Sequence, residues 1–491
     1  MRDESGLRIV SAEYALKHRI LPLREEGGTV YVAVADNRND ALLQELQFMF
    51  NKPVVAESWT AEKLLPAISR RYRLGDGAAS GESPARFEAL ENHSPGEENP
   101  AALLDDHSVV QTVNQVISEA IRLRASDIHV ESYEEIFRIR FRIDGKLQAY
   151  DHPPIQRKPA LISRLKIMAG MDIAEKRRPQ DGRIRMVSER RRVDIRVSTL
   201  PTDFGEKVVL RILDPSALNL SLENLGMEEE TLERFRSVLG LPYGMLLATG
   251  PTGSGKTTTL YAGLQHLNQP ERNIITIEDP VEYNLPGINQ TAVRPELGLD
   301  FAAILRTVLR QDPNVIMIGE IRDRETAAIA VRAALTGHLV LSTLHTNDAI
   351  STIARLIDMG IEPFLLASSL KLALAQRLVR RICSRCKQEA QIDWEKFRSY
   401  GLPATLRNKC FYEGAGCEDC QHTGYRGREA LVARLPVDER IAAEILRGGS
   451  AGELRRLAAK SGYRELKEIA LQKALAGRTS LEEAVYETFT G

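Results

Sequence analysis

The run Gly250-Pro251-Thr252-Gly253-Ser254-Gly255-Lys256-Thr257 fits the phosphate-loop pattern G-x-x-x-x-G-K-[ST]. Its glycines let consecutive backbone N–H groups turn inward around a phosphate, and the N-terminus of a following helix adds partial positive charge. Lys256 can reach the terminal phosphates of a nucleotide, and the Thr257 hydroxyl can hold Mg²⁺. With Thr258 these residues form the expected nucleotide-binding segment. A chain of this length meets the pattern by accident roughly 2% of the time at average residue usage. The setting lowers that further. Met245–Thr249 enters as a buried strand would, and Thr258–Leu264 reads as the first turns of a helix.

Asn314-Val315-Ile316-Met317-Ile318-Gly319-Glu320 has the apolar strand of a Walker B segment, with glycine where the metal-binding aspartate usually stands. Glu320 would sit at the strand's carboxyl end, placed to polarise an attacking water. Its plainer role is a surface ion pair with Arg322 or Arg324. Two further segments stand at strand ends, where open α/β sheets bind ligands. They are Ile277-Glu278-Asp279-Pro280-Val281-Glu282 and Gly337–Thr346, which carries His345. A lone histidine is more often structural, but one at a strand end can sense a ligand oxygen.

Cys383-Ser384-Arg385-Cys386 and Cys417-Glu418-Asp419-Cys420 form a CxxC…CxxC pair with 30 residues between the halves. Four thiolates suit a tetrahedral structural zinc, and each CxxC turn offers two sulfurs. A redox role is the alternative, which a lone CxxC would make competitive. Cys410 lies outside the pattern and reads as an ordinary thiol.

The elements that must position these groups fall into a linear order. Residues 1–73 hold enough alternation (Val30, Val32, Val34) and helical pattern for a small α/β domain. Residues 74–106 turn to Gly, Ser, Pro, Glu and Asn, which predicts a flexible linker. A second α/β domain, 107–221, opens on an amphipathic helix with Val109, Val113, Val116, Ile117 and Ala120 on one face. Phe137, Ile139, Phe141 and Ile143 then alternate with Arg138, Arg140 and Arg142, ending in a turn at Asp144-Gly145. Later alternations set Arg196 and Arg211 opposite apolar residues, either as functional arginines or as a solvated face. A joint near Pro215 would let this domain close on the next. From 222 to 379, strands alternating with helices predict a parallel sheet wrapped by helices. The tetracysteine insert spans 380–428, and a polar helical region, 429–491, finishes the chain.

The 491 residues carry 66 Lys+Arg against 67 Asp+Glu, so no global attraction to nucleic acid is expected. No run reaches the ~18 apolar residues of a membrane span. Met1-Arg2-Asp3-Glu4-Ser5 lacks the apolar core of a secretory signal, and 5 cysteines do not suggest a disulfide framework. These features lead to a cytoplasmic expectation. Near-zero charge and the lack of a basic, aromatic-interleaved stripe count against a nucleic-acid translocase. Intact Lys256, Thr257 and Glu320 count against a non-hydrolysing scaffold.

The segments Glu278–Glu282, Gly319-Glu320 and Gly337–Thr346 together resemble the secretion NTPase superfamily. The likeness extends through Arg124–Glu131, Arg178–Arg183 and Leu309–Pro313, covering roughly 108–428. Within it the chain is similar to the type II secretion ATPases (the general secretory pathway protein E family), with type IV pilus assembly ATPases as close relatives. That resemblance implies a RecA-like ATP-hydrolysing core preceded by a PAS-like domain. It also implies a cytoplasmic homo-hexamer, peripheral to the inner membrane, that drives a membrane platform and meets that platform's cytoplasmic-domain subunit. Pseudopilins would be extruded by it; the alternative is pilus extension. Catalytic roles are implied for Glu278, Glu320 and His345. The family's nucleotide-reaching arginines match Arg196, Arg211, Arg306 and Arg310, and its members carry the same tetracysteine insert.

Overall fold

The computed structural model describes residues 107–188, 191–213 and 220–489, together with 15, 20–26, 29–34, 46–47, 52–60, 63–64 and 67–68. The expected linker and the joint near Pro215 lie outside the described residues. Two compact units separate at Arg86 and Phe87. In the first, β1 (Ile20–Glu26) pairs antiparallel with β2 (Thr29–Val34), which pairs parallel with β3 (Val54–Ser58). Val30, Val32 and Val34 are buried with Leu46, Leu64 and Ile68.

The second unit opens with helix His107–Arg122 and a six-stranded antiparallel sheet. Its strands are β4 (Asp127–Ser132), β5 (Phe137–Ile143), β6 (Lys146–Asp151), β7 (Gln180–Ser188), β8 (Arg191–Thr202) and β9 (Gly205–Leu213), in the order β6-β5-β4-β9-β8-β7. Asp144 and Gly145 both take positive φ (47° and 86°) in the two-residue turn between β5 and β6, the backbone twist such a hairpin favours. Phe137, Ile139 and Phe141 pack with Val113, Ile117, Leu161 and Leu165 from the helices behind the sheet. The arginines that alternate with them are left on the other face.

The seven-stranded sheet that follows contains β10 (Gly244–Thr249), β11 (Ile274–Glu278), β12 (Asn289–Ala292), β13 (Val315–Ile318), β14 (Leu339–Leu344), β15 (Leu370–Ile382) and, after two short strands of the cysteine region, an edge strand Tyr425–Pro436. Six strands run parallel in the order β12-β11-β13-β14-β10-β15, and the edge strand closes the order antiparallel to β15. Successive residues feed different cores. Met245, Leu247, Ile316 and Val340 lie in one, and Leu246, Ala248, Met317 and Leu341 in the other. Both faces are therefore covered by helices, as a parallel sheet requires.

Two boundaries differ from expectation. β15 continues through Ile382, past the predicted motor limit at 379. Residues 425–436 form a strand, although the segment from 429 was expected to be helical. Ala430, Leu431, Val432, Ala433 and Leu435 are all buried, so this edge strand lacks the alternation that marks a half-buried strand. Four helices then follow, Glu439–Leu446, Ala451–Lys460, Leu466–Leu475 and Leu481–Phe489. The last is clamped to β15 by Arg380, whose Nε and Nη2 donate to the Glu483 carboxylate at 2.9 and 2.6 Å.

Candidate nucleotide and metal sites

The carboxyl ends of β13, β14 and β10 lie side by side, with Ile318 opposite Ser342 and Leu344 opposite Thr249. The phosphate loop leaves β10 and enters helix Lys256–Leu267. Gly255 sits at φ 87°, where an L side chain is strained. Lys256 is buried and its Nζ donates to the carbonyls of Gly250 and Pro251 at 2.8 and 2.9 Å. Burial pulls its pKa below the ordinary lysine range, against the opposing field of Glu320. Ser254 Oγ is buried in the loop without a hydrogen-bond partner. Pro251, Thr252, Gly253 and Thr257 are exposed, and Thr258 is partly so. This donor-rich cradle fits a polyphosphate.

Glu320 follows β13. Its side chain is 16% exposed; Oε1 accepts from Arg322 Nη2 at 2.5 Å, and Oε2 lies 3.2 Å from His345 Nε2. Burial raises the carboxyl's pKa, but Arg322 and His345 outweigh burial and hold it below the ordinary range. The predicted ion pair with Arg322 therefore coexists with a position beside the phosphate loop. Gly319 donates its N–H to Ile277 O at 2.7 Å and accepts from Thr343 Oγ1 at 2.7 Å. A Cβ there would meet Ile277 O at 3.2 Å and Glu278 Cα at 3.4 Å, so the glycine lets β11 and β13 lie close at this point.

Glu278 is only 3% exposed. It accepts from the Tyr261 hydroxyl, from Thr276 Oγ1 at 2.5 Å and from Gln290 Nε2 at 3.1 Å. Both of its oxygens are thus taken by protein donors. In this arrangement Glu278 fixes Tyr261, on the helix behind the loop, rather than facing a water.

The cysteine region is a compact knuckle. Cys383–Cys417, Cys386–Cys420 and Cys417–Cys420 sulfurs lie 3.9, 3.8 and 3.7 Å apart, and all four fall within 4.8 Å of one another. A tetrahedral zinc with Zn–S of about 2.3 Å sets its sulfurs about 3.8 Å apart. The Cys417 and Gly424 N–H groups donate to Cys420 Sγ at 3.2 and 3.3 Å, as backbone donors to a metal-binding thiolate do. The four cysteines fit the metal.

Residues 102–486 match the family described as Type II/IV secretion system protein, and residues 1–78 match the MshEN domain. The chain belongs to the type II/IV secretion system protein family. It is 45% identical to the type IV pilus assembly ATPase PilB of Myxococcus xanthus, over 98% of this chain and 86% of that protein. It is 44% identical to the type II secretion system protein E of Dickeya dadantii, over 98% of this chain and 97% of that one. Among solved structures, the pilus retraction motor PilT with bound ADP aligns with 27% identity over 76% of this chain and 95% of its own, at a TM-score of 0.52. The Legionella pneumophila ATPase DotB shares the fold at 21% identity and a TM-score of 0.56, over 77% of this chain and 95% of its own.

As a secretion ATPase the chain has its four expected arginines engaged away from the loop. Arg196 donates to Glu282 Oε2 at 3.1 Å and to Val281 O at 2.5 Å, so the antiparallel sheet docks on the segment after β11. Arg211 donates to Asp127 at 3.1 Å, Arg306 pairs with Glu325, and Arg310 donates to Arg306 O at 2.9 Å. A second tie went unread in the sequence: the turn residue Asp144 accepts from the Gly427 N–H at 2.7 Å. Among the described residues no helix is long and apolar enough to cross a membrane.

Proposed function

We infer that this ATPase powers a type II secretion assembly, working as a homo-hexameric ring on the cytoplasmic side of the inner membrane. The reading is carried by one observation: Glu320 stands between Arg322 and His345, one strand removed from the phosphate loop. Lys256 would exchange its carbonyl partners for the terminal phosphates of ATP. Glu320, kept ionised by its cationic neighbours, would orient the attacking water and take its proton. His345, 3.2 Å from Glu320 Oε2, would contact the terminal phosphate while bonded to Glu320. Thr257 would hold Mg²⁺, which supplies charge neutralisation at the phosphates. The four cysteines would hold Zn²⁺, which supplies a cross-link.

Arg196 and Arg211 would meet phosphates only after the antiparallel sheet turns on the motor, in the same or a neighbouring subunit, and Arg306 and Arg310, on the motor itself, only after leaving Glu325 and the Arg306 carbonyl. Hydrolysis would then depend on the assembled ring. The partners would be an inner-membrane platform protein and its cytoplasmic-domain subunit, with residues 1–73 making the membrane-side contact. The even charge supports no nucleic-acid partner.

The end-to-end length match to a type II secretion system protein E supports secretion. Pilus extension is the second reading, favoured by equally high identity to a pilus assembly ATPase. Complementation separates them. Full-length protein should restore enzyme export to a strain lacking its type II ATPase and should not restore pili to a strain lacking its pilus assembly ATPase. Pili without export would reverse the assignment, and loss of phosphate release in neither Lys256→Ala nor Glu320→Gln would reject the motor itself.

A further inference from the structure

One buried polar side chain of β15 reaches the phosphate loop. Thr249, the last residue of β10, pairs with Ala375, so Gln376 lies beside the first residue of the loop. Gln376 is 2% exposed. Its Oε1 accepts from Thr259 Oγ1, in the first turn of the following helix, at 2.8 Å. A Cβ on Gly250 would fall 2.4 Å from the Gln376 carbonyl oxygen, and a Cβ on Gly255 would fall 2.7 Å from its Nε2. Both glycines that bound the loop are thus pressed against this one residue.

We propose that the Gln376 side chain is a positioning group for the phosphate loop, holding its Gly255 end and the first helical turn in the shape that receives a nucleoside triphosphate, while the main chain of the same residue backs Gly250. A glycine-rich loop has wide backbone freedom, and a ligand that must order it binds more weakly than one that finds it ordered. Burying an amide in a strand of Leu and Ala costs stability unless the amide is hydrogen-bonded. Gln376 meets that condition at Thr259, which is itself buried, so the two polar groups depend on each other. The brace is itself held, because Arg380, four residues along β15, is clamped by Glu483.

The inference rests on the loop being the nucleotide site, so Lys256→Ala is the reference variant. Binding of a fluorescent ATP analogue and steady-state turnover are measured on the full-length protein. Gln376→Met, similar in length but unable to bond Thr259, should raise Kd and KM roughly threefold to tenfold, the range a lost neutral hydrogen bond gives, with kcat nearly unchanged. Thr259→Val should do the same, and the double variant should be no worse than the weaker single. Gln376→Glu keeps the acceptor for Thr259 but sets a second oxygen against Gly255, and should bind ATP more weakly than Gln376→Met. Unchanged affinity in both single variants, or additive losses in the double, would overturn the bracing role. Should Gln376→Met not fold, Thr259→Val carries the test. Normal binding by Lys256→Ala would instead show that the loop is not the site.

Discussion

Glu320 and His345 leave neighbouring parallel strands and meet with Oε2 and Nε2 3.2 Å apart. Neither residue alone distinguishes a catalytic carboxylate from a surface ion pair, but the pair gives the carboxylate one defined direction. Glu320→Gln preserves the shape and the acceptor for Arg322 while removing the base. Turnover should fall about 10²- to 10⁴-fold with ATP affinity close to wild type. Rapid-quench turnover alongside equilibrium nucleotide binding checks both halves; hydrolysis near the wild-type rate would remove Glu320 from the mechanism.

Arg196 and Glu282 tie the antiparallel sheet to the motor across 86 positions of chain. Both are partly exposed, so each single alanine variant should cost about 1 kcal/mol of unfolding free energy. The double variant should cost no more than the larger single, as urea unfolding would read out. Under the proposed ring-dependent mechanism Arg196→Ala should also lower kcat more than ATP affinity. Full turnover by this variant would leave Arg196 as a docking residue only.

Glu131 predicts a pH dependence. Its side chain is 4% exposed, with Arg138 Nε at 2.9 Å and Arg140 Nη2 at 2.8 Å. Burial raises its pKa, but hydrogen bonds from Arg140 and Arg138 outweigh burial and bring the carboxyl from 4.5 to about 2. A lowered folded-state pKa stabilises the fold above the unfolded value, and that contribution fades as pH falls from about 4.5 toward 2. At neutral pH the contribution is on the order of 3 kcal/mol. Glu131→Gln should therefore be clearly less stable than wild type at pH 6, and the urea midpoints should converge below pH 3. A constant gap across that range would contradict the coupling.

The tetracysteine cluster should bind about one zinc per chain, measured by elemental analysis of protein purified without chelator. Phe411 and Leu406 from the insert are buried in the same core as the motor sheet, and Tyr400 meets Phe489 edge-on at 6.4 Å. Metal removal should therefore lower the melting temperature of motor and insert together, in one transition, while nucleotide still binds below it. Two separated transitions would mean that the insert folds alone.

The chemistry was legible where it is local. The phosphate loop and the CxxC pairs are read from spacing, because the chain folds back on itself within a few residues. The alternation of Phe137–Ile143 likewise gave the arginine face, though not the partners of those arginines. Arg196 and Glu282 meet only through tertiary packing, and no periodicity encodes that. The edge strand 425–436 was missed because burial on both sides erases alternation. Gln376 was missed for a different reason: a single polar residue in an apolar strand carries no pattern, and its partner Thr259 lies 117 positions away.

Gly319 also bears on how closely β11 and β13 lie. The place a Walker B aspartate would take is narrowed by the backbone of β11, with a Cβ tight against Ile277 O and Glu278 Cα. An aspartate there would need the backbone of β11 to give by a few tenths of an ångström, at the point where Gly319 N–H and Ile277 O bind the strands together. The glycine works as a spacer: with no side chain there, β11 and β13 lie close together and the carboxylate of the site is supplied one residue further along, by Glu320.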